Sequence, residues 1–108
     1  MKNSRNTQTK TGKLLETDVT RLILDYLRSK GHFAFKHWSG GQVFGRSRKG
    51  VADIIGVKKP DGTAIFLEVK LPGNEARDDQ IEFLYEASSK GAITGVVHSL
   101  EEVKSLAL

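Results

Sequence analysis

Charged side chains with the spacing of a hydrolytic centre occur in the second half of the chain. Glu68 and Lys70 alternate with the apolar residues Leu67 and Val69. Because a β-strand presents successive residues on opposite faces, this alternation predicts that Glu68 and Lys70 share one face. An isolated Glu-x-Lys pair is also common as an ordinary pair of surface charges, so the spacing alone does not identify a site.

A second carboxylate, Asp53, interrupts the apolar run of residues 51–57. A carboxylate in such a run loses hydration and needs a cation or hydrogen-bond donors, which a neighbouring lysine or a turn would also supply. If Asp53 and Glu68 meet at adjacent strand ends, their repulsion favours a divalent cation between them. Mg²⁺ prefers oxygen ligands, water and phosphate, and Lys70 beside it would orient or activate water or offset phosphate charge.

Two further polar residues continue the apolar stripes of predicted helices. Glu16 extends the stripe of Val19 and Ile23, which would point it toward the sheet and let it reach a cation through water. A charge that is favourable to the helix dipole is the equally weighted alternative. Gln80 lies in a stripe of the second long helix and is predicted to face the site, although a partly buried amide without a chemical role explains it as well.

The elements that must position these residues follow from the hydrophobic periodicity. The sequence predicts helices over residues 15–30, 75–90 and 100–106 and strands over 32–37, 51–57, 63–70 and 92–98. The strand–helix–strand step from 63 to 98 favours a parallel crossover, and the earlier strands favour an antiparallel meander. The predicted fold class is α/β, with a mixed sheet flanked by helices.

Composition limits the class of protein. The 108 residues suffice for one domain, and residues 1–12 are predicted to be a flexible basic tail that precedes a domain over 13–108. The chain contains no cysteine, which excludes disulfides and cysteine-ligated zinc. No segment has the pattern of a signal peptide or a membrane span, so we expect a cytoplasmic protein without a membrane partner.

The net charge of +4 permits a nucleic-acid partner without requiring one. Arg46, Arg48 and Lys49 lie in a glycine-bounded loop that leads to Asp53, where their charges would neutralise a DNA backbone without reading bases. No segment resembles a base-reading helix, so we expect selectivity for DNA shape. Trp38 either stacks on a base or, as is more common, packs in a core or a dimer interface.

The three histidines do not have the spacing of a zinc motif. The histidines are His32, His37 and His98, and no two of them have the spacing that brings metal ligands together on a helix. They are therefore interpreted as structural residues.

The residues and their order resemble the PD-(D/E)xK nuclease superfamily and, within it, the VRR-NUC family of virus-type replication-repair nucleases. The similarity spans residues 14–104, and its matching pieces are Glu16 and the segments 49–55, 66–70, 80–84 and 91–99. Ala52 differs from the family, which often has proline before the aspartate. That position is interpreted as structural.

The resemblance implies a restriction-endonuclease-like αβββαβ core that hydrolyses DNA phosphodiesters with Mg²⁺ or Mn²⁺. It implies that Asp53, Glu68 and the Val69 carbonyl bind the metal and that Lys70 serves the attacking water. Glu16 and Gln80 would complete the site.

The resemblance also bears on the substrate and the assembly. Members that consist of this domain alone tend to be homodimers that act on four-way DNA junctions, whereas members fused to other domains cleave flaps. We therefore expect a homodimeric resolvase of four-way (Holliday) junctions whose partner is branched DNA. The alternatives are a flap or non-specific nuclease, and a catalytically idle DNA-binding or assembly module with a nuclease fold.

Overall fold

The computed structural model describes residues 14–37 and 48–108 of the chain. Three helices and four strands follow one another as α1 (Glu16–Ser29), β1 (Phe33–Lys36), β2 (Ile54–Val57), β3 (Ala64–Val69), α2 (Asp78–Ser89), β4 (Ile93–Val97) and α3 (Leu100–Lys104). This order and the fold class agree with the sequence-based prediction. None of the helices in the described ranges is long and apolar enough to cross a membrane.

The four strands form one mixed sheet in the order β1-β2-β3-β4. The first three strands form an antiparallel meander, in which Ile54 pairs with Leu67. Strand β4 runs parallel to β3, with Val69 opposite Val97, and α2 makes the crossover between them. The chain therefore brings the start of β2 and the end of β3 to the same edge of the sheet.

Helix α1 forms because its apolar residues recur at helical spacing. Val19, Ile23 and Leu27 are buried along one stripe, and acidic residues in the first turn complement the helix dipole. The helix ends before Gly31, whose φ of 90° lies in the left-handed region that glycine adopts readily. Its buried stripe therefore faces the sheet.

Different helices pack against the two faces of the sheet. Residues 65, 67 and 69 of β3 are buried in one cluster with the stripe of α1 and with Val103 of α3. On the opposite face, Phe83 of α2 packs edge-on against Phe66, with ring centroids 5.3 Å apart. The face that carries Glu68 is thus covered by α2, and the core lies on the other side.

Several element boundaries differ from the predicted ones by one to three residues. Strand β2 begins at Ile54 rather than at residue 51, so Asp53 immediately precedes the strand. Helix α2 begins at Asp78 rather than at residue 75, with Arg77 as its N-cap, and follows a turn over residues 71–74. The predicted basic tail, residues 1–12, and the segment 38–47, which includes Trp38, lie outside the described residues.

Candidate active site

Glu68 is a carboxylate buried under α2. Its side chain points away from the core because the flanking residues, Leu67 and Val69, occupy the core face of β3. Helix α2 then covers it, which leaves only 2% of Glu68 exposed to solvent. A carboxylate so deeply buried requires compensation from neighbouring groups.

Asp53 lies beside Glu68 through the register of the sheet. Because Ile54 pairs with Leu67 in antiparallel strands, the next position outward places Asp53 across from Glu68 on the same face. The Oδ2 atom of Asp53 accepts a hydrogen bond of 2.8 Å from the backbone N–H of Val69. This bond fixes the Asp53 carboxylate at the end of β3, as the proposed convergence of the two carboxylates requires.

The two oxygens of Glu68 have unequal surroundings. Oε2 accepts a hydrogen bond of 2.7 Å from Nε2 of Gln80 and lies 3.9 Å from Nζ of Lys70. Oε1 is inaccessible to solvent and has no hydrogen-bond partner among the described residues. An unsatisfied buried carboxylate oxygen is costly, so this atom is a free acceptor for a proton or a cation.

Burial and the negative charge of Asp53 raise the pKa of Glu68 to about 8. The positive charges of Lys70 and Arg77 lower the pKa of Glu68, but they do not outweigh the effect of burial. Below pH 8 the side chain therefore retains a proton in the protein without metal. A pair of adjacent carboxylates that holds one proton has the electrostatics of a site where a divalent cation replaces that proton.

Gln80 is held in place by two hydrogen bonds. Its Oε1 atom accepts a hydrogen bond of 2.8 Å from the backbone N–H of Arg77, the residue before α2, and its Nε2 atom donates a hydrogen bond to Glu68. Gln80 is itself buried. The structure thus brings Gln80 together with Glu68, Asp53 and Lys70, which is the grouping that the helical stripe and the strand pattern suggested.

Glu16 is not part of this group. It is the first residue of α1 and is exposed, and its backbone carbonyl accepts a hydrogen bond of 2.9 Å from Oγ1 of Thr20. Within residues 14–37 and 48–108, no three acidic or histidine side chains lie close enough together to hold a metal ion. A role for Glu16 through a water molecule stays a prediction.

Only the end of the basic loop, residues 48–50, belongs to the described part of the chain. Arg46 lies outside the described residues. Lys49 is exposed, and Gly50 packs so closely on α2 that a Cβ atom there would collide with the backbone carbonyl of Asp79. Gly50, at the end of the loop, is therefore fixed against the start of α2, next to Gln80.

Arg48 is paired rather than free. Its guanidinium lies 2.9 Å from Glu86 and 5.3 Å from the centre of the Phe83 ring. It lines an open groove of about 510 Å³, together with Phe66 and Lys90, on the face of the sheet that carries Glu68. This position is compatible with contact to a backbone phosphate, which stays a prediction.

The sequence reasoning missed one charged residue that acts on the site and one buried acid on α1. Arg77 contributes a positive charge that opposes the rise in the pKa of Glu68, and its position three residues before Gln80 was an available signal. Asp18 is 9% exposed and has a buried Oδ2 atom without a partner among the described residues. No pattern in the sequence distinguished Asp18 from the other first-turn acids of α1.

Comparison with known proteins agrees with this fold. A solved structure described as "VRR_NUC domain" superposes with a TM-score of 0.66 at 22% identity, over 85% of this chain and 92% of the other. A second, "VRR_NUC domain protein", gives a TM-score of 0.63 at 16% identity, over 87% of this chain and 85% of the other. The comparison with curated proteins found no significant match. The family model of the VRR-NUC domain matches residues 3–101, so the chain belongs to the VRR-NUC family of nuclease-type domains.

Proposed function

We propose that this protein is a metal-dependent endonuclease that hydrolyses phosphodiester bonds in branched DNA. One observation carries the proposal: Oε1 of Glu68, which has no hydrogen-bond partner in residues 14–37 and 48–108, lies in a buried site with the Asp53 carboxylate at its side and the Lys70 ammonium 3.9 Å from Oε2. A divalent cation would satisfy both carboxylates, and a phosphate would satisfy the ammonium.

The donor set fits Mg²⁺ or Mn²⁺. Asp53 and Glu68 supply hard oxygen ligands, and the Val69 carbonyl at the end of β3 is the proposed third. Mg²⁺ usually keeps several water molecules and uses only one or two protein carboxylates, so the small number of acids is in keeping with this metal. When bound, the ion would lower the pKa of a water molecule and stabilise negative charge on the phosphoryl oxygens.

The chain's own residues have separate roles in the proposed reaction. The Val69 N–H fixes the orientation of Asp53, and Gln80 fixes that of Glu68. Lys70 holds a positive charge at the edge of the pair, where it orients the attacking water and offsets the charge of the phosphate. The water oxygen attacks phosphorus and releases a proton to solvent, the phosphorus–oxygen bond to the leaving nucleotide breaks, and solvent protonates the leaving oxygen.

Branched DNA is the proposed substrate, with a Holliday junction as the first candidate, because two copies of this domain would present one site to each of two strands. Exposed apolar side chains support self-association. Phe33 and Val57 pair across β1 and β2 and are 62% and 42% exposed, and Phe35 on the same face is 39% exposed. A solution mass near the 11.9 kDa of one chain would contradict the proposed homodimer.

The decisive experiment is incubation with Mg²⁺ or Mn²⁺ and labelled four-way junctions, flaps and plain duplex. Wild type should cut four-way junctions best, Glu68→Ala should cut nothing, and Glu101→Ala should behave as wild type because Glu101 is exposed on α3. Equal cutting by wild type and Glu68→Ala would reject the site. Preference for flaps or duplex would reject the resolvase assignment, and DNA binding without cleavage would indicate an idle module.

A further inference from the structure

His98 lies directly after β4, at the edge of the sheet where β3 ends. The backbone N–H of Lys70 donates a hydrogen bond of 3.0 Å to the carbonyl of Val97. Lys70, which directly follows β3, is therefore joined to the residue before His98. The side chain of His98 is 30% exposed. The proposed site therefore has a titratable group at its border that the reaction described above does not use.

The two ring nitrogens of His98 both face hydrogen-bond acceptors. Nδ1 lies 3.1 Å from Oε1 of Glu102, and Nε2 lies 3.2 Å from the backbone carbonyl of Asn74. A neutral imidazole carries one N–H, so only the protonated ring donates to both acceptors at once. The geometry is that of an imidazolium that bridges two elements.

The two acceptors belong to different parts of the fold. Glu102 lies in the first turn of α3, and its side chain also accepts a hydrogen bond of 2.9 Å from the backbone N–H of His98. Asn74 lies in residues 71–77, which we call the β3–α2 connection because it leads from Lys70 to the first residue of α2. Positions 72–75 of this connection are exposed, so the sheet and helices do not enclose it.

The β3–α2 connection ends where the proposed site begins. Its last residue, Arg77, donates its backbone N–H to Gln80, and Gln80 donates to Glu68. A displacement of the connection would therefore move the partner of Gln80 and, through it, the amide that holds Glu68. The bridge at Asn74 restrains this exposed segment from outside.

We propose that His98 is a positioning residue whose protonated side chain ties the β3–α2 connection to α3 and thereby holds Gln80 against Glu68. The inference rests on the proposed function for its catalytic consequence, but the bridge itself is independent of DNA and metal. The hydrogen bond to Glu102, followed by the bond to Asn74, raises the pKa of His98 above its ordinary value. Glu102 is the charged group that acts on it among the described residues.

The direct test is amide hydrogen exchange of the metal-free protein without DNA at pH 6.5. His98→Ala should make exchange of the Asn74 and Arg77 amides, which donate to Leu71 and Gln80, about tenfold faster, the effect of losing one charge-assisted hydrogen bond, while β1 and β2 keep their protection. Glu102→Gln should have the same effect in weaker form. Its matched control is Glu101→Gln, the same substitution at an exposed neighbouring position.

A second readout separates positioning from general stability. In wild type, the imidazole of His98 should titrate above pH 6.5 by NMR, and protection of the Asn74 and Arg77 amides should decrease as the pH rises through the pKa of His98. In Glu102→Gln the titration should move back toward pH 6.5. Cleavage by His98→Ala should show a lower kcat with unchanged DNA affinity, and His98→Gln, which keeps one donor, should restore part of it.

Two results would overturn the bridge. One is exchange of the Asn74 and Arg77 amides in His98→Ala within twofold of wild type, and the other is an equal loss of protection throughout the chain. A wild-type protein that cleaves no DNA would reject the proposed function instead, since the exchange and NMR measurements need neither substrate nor metal.

Discussion

Replacing Glu68 by glutamine should change how the stability of the metal-free protein depends on pH. In the folded protein the pKa of Glu68 is raised from 4.5 to about 8, so the folded state keeps a proton that the unfolded chain releases. Between these two values the folded state binds more protons than the unfolded state. The free energy of unfolding therefore falls as the pH rises from 4.5 to 8.

The size of the effect follows from the width of that interval. One bound proton changes the free energy of unfolding by about 1.36 kcal/mol per pH unit, which gives an upper bound of about 5 kcal/mol at pH 8 and above. Glu68 is 2% exposed, so solvent screens little of this cost. The loss is large against the roughly 5–15 kcal/mol of a typical domain. Glutamine accepts from Gln80 as glutamate does and has no charge to bury, so the variant should lose no such stability.

The assay is urea unfolding followed by circular dichroism at pH 5 to 9 in the presence of EDTA. The difference in the free energy of unfolding between wild type and Glu68→Gln isolates the contribution of Glu68, because the histidines titrate alike in both proteins. Glu75→Gln, at an exposed position, is the matched control and should parallel wild type. Added Mg²⁺ should raise the wild-type midpoint at pH 8 and leave that of Glu68→Gln unchanged. Stability curves of wild type and Glu68→Gln that run parallel across this range would refute the assignment of a buried, proton-holding Glu68.

Three further substitutions test the supports of the site. Gly50→Ala should destabilise the protein by about 2 kcal/mol more than Gly62→Ala in urea unfolding, because both glycines have positive φ but only Gly50 faces a backbone carbonyl of α2; equal losses would contradict the close approach. Gln80→Leu should cost about 1–3 kcal/mol by removing the donor to Glu68, and a loss below about 0.5 kcal/mol would show that this bond is not made. Lys70→Gln should lower single-turnover cleavage by about 10²-fold or more with little change in DNA affinity, whereas Lys59→Gln, at an exposed position between β2 and β3, should cut at the wild-type rate; comparable rates for the two variants would exclude Lys70 from the chemistry.

The order of elements was predictable because each element carries its own periodic signal. The alternation in residues 64–69 predicts β3 and places Glu68 on the face opposite Leu67, as the structure confirms. The boundaries were less predictable. Nothing in residues 75–77 resembles a helix break, and α2 starts at Asp78 because Arg77 pairs with Gln80 in the capping arrangement.

The sequence by itself determined which face of β3 carries Glu68 and Lys70, because the period of a strand is a local property of the backbone. Only the tertiary structure decided that Asp53 lies across from Glu68, since that depends on the pairing of β2 with β3. The tertiary structure also decided that α2 covers Glu68, that Oε1 is left without a partner among the described residues, and that His98 meets Asn74. These contacts join residues distant in sequence, and their energies depend on burial, which no local pattern specifies.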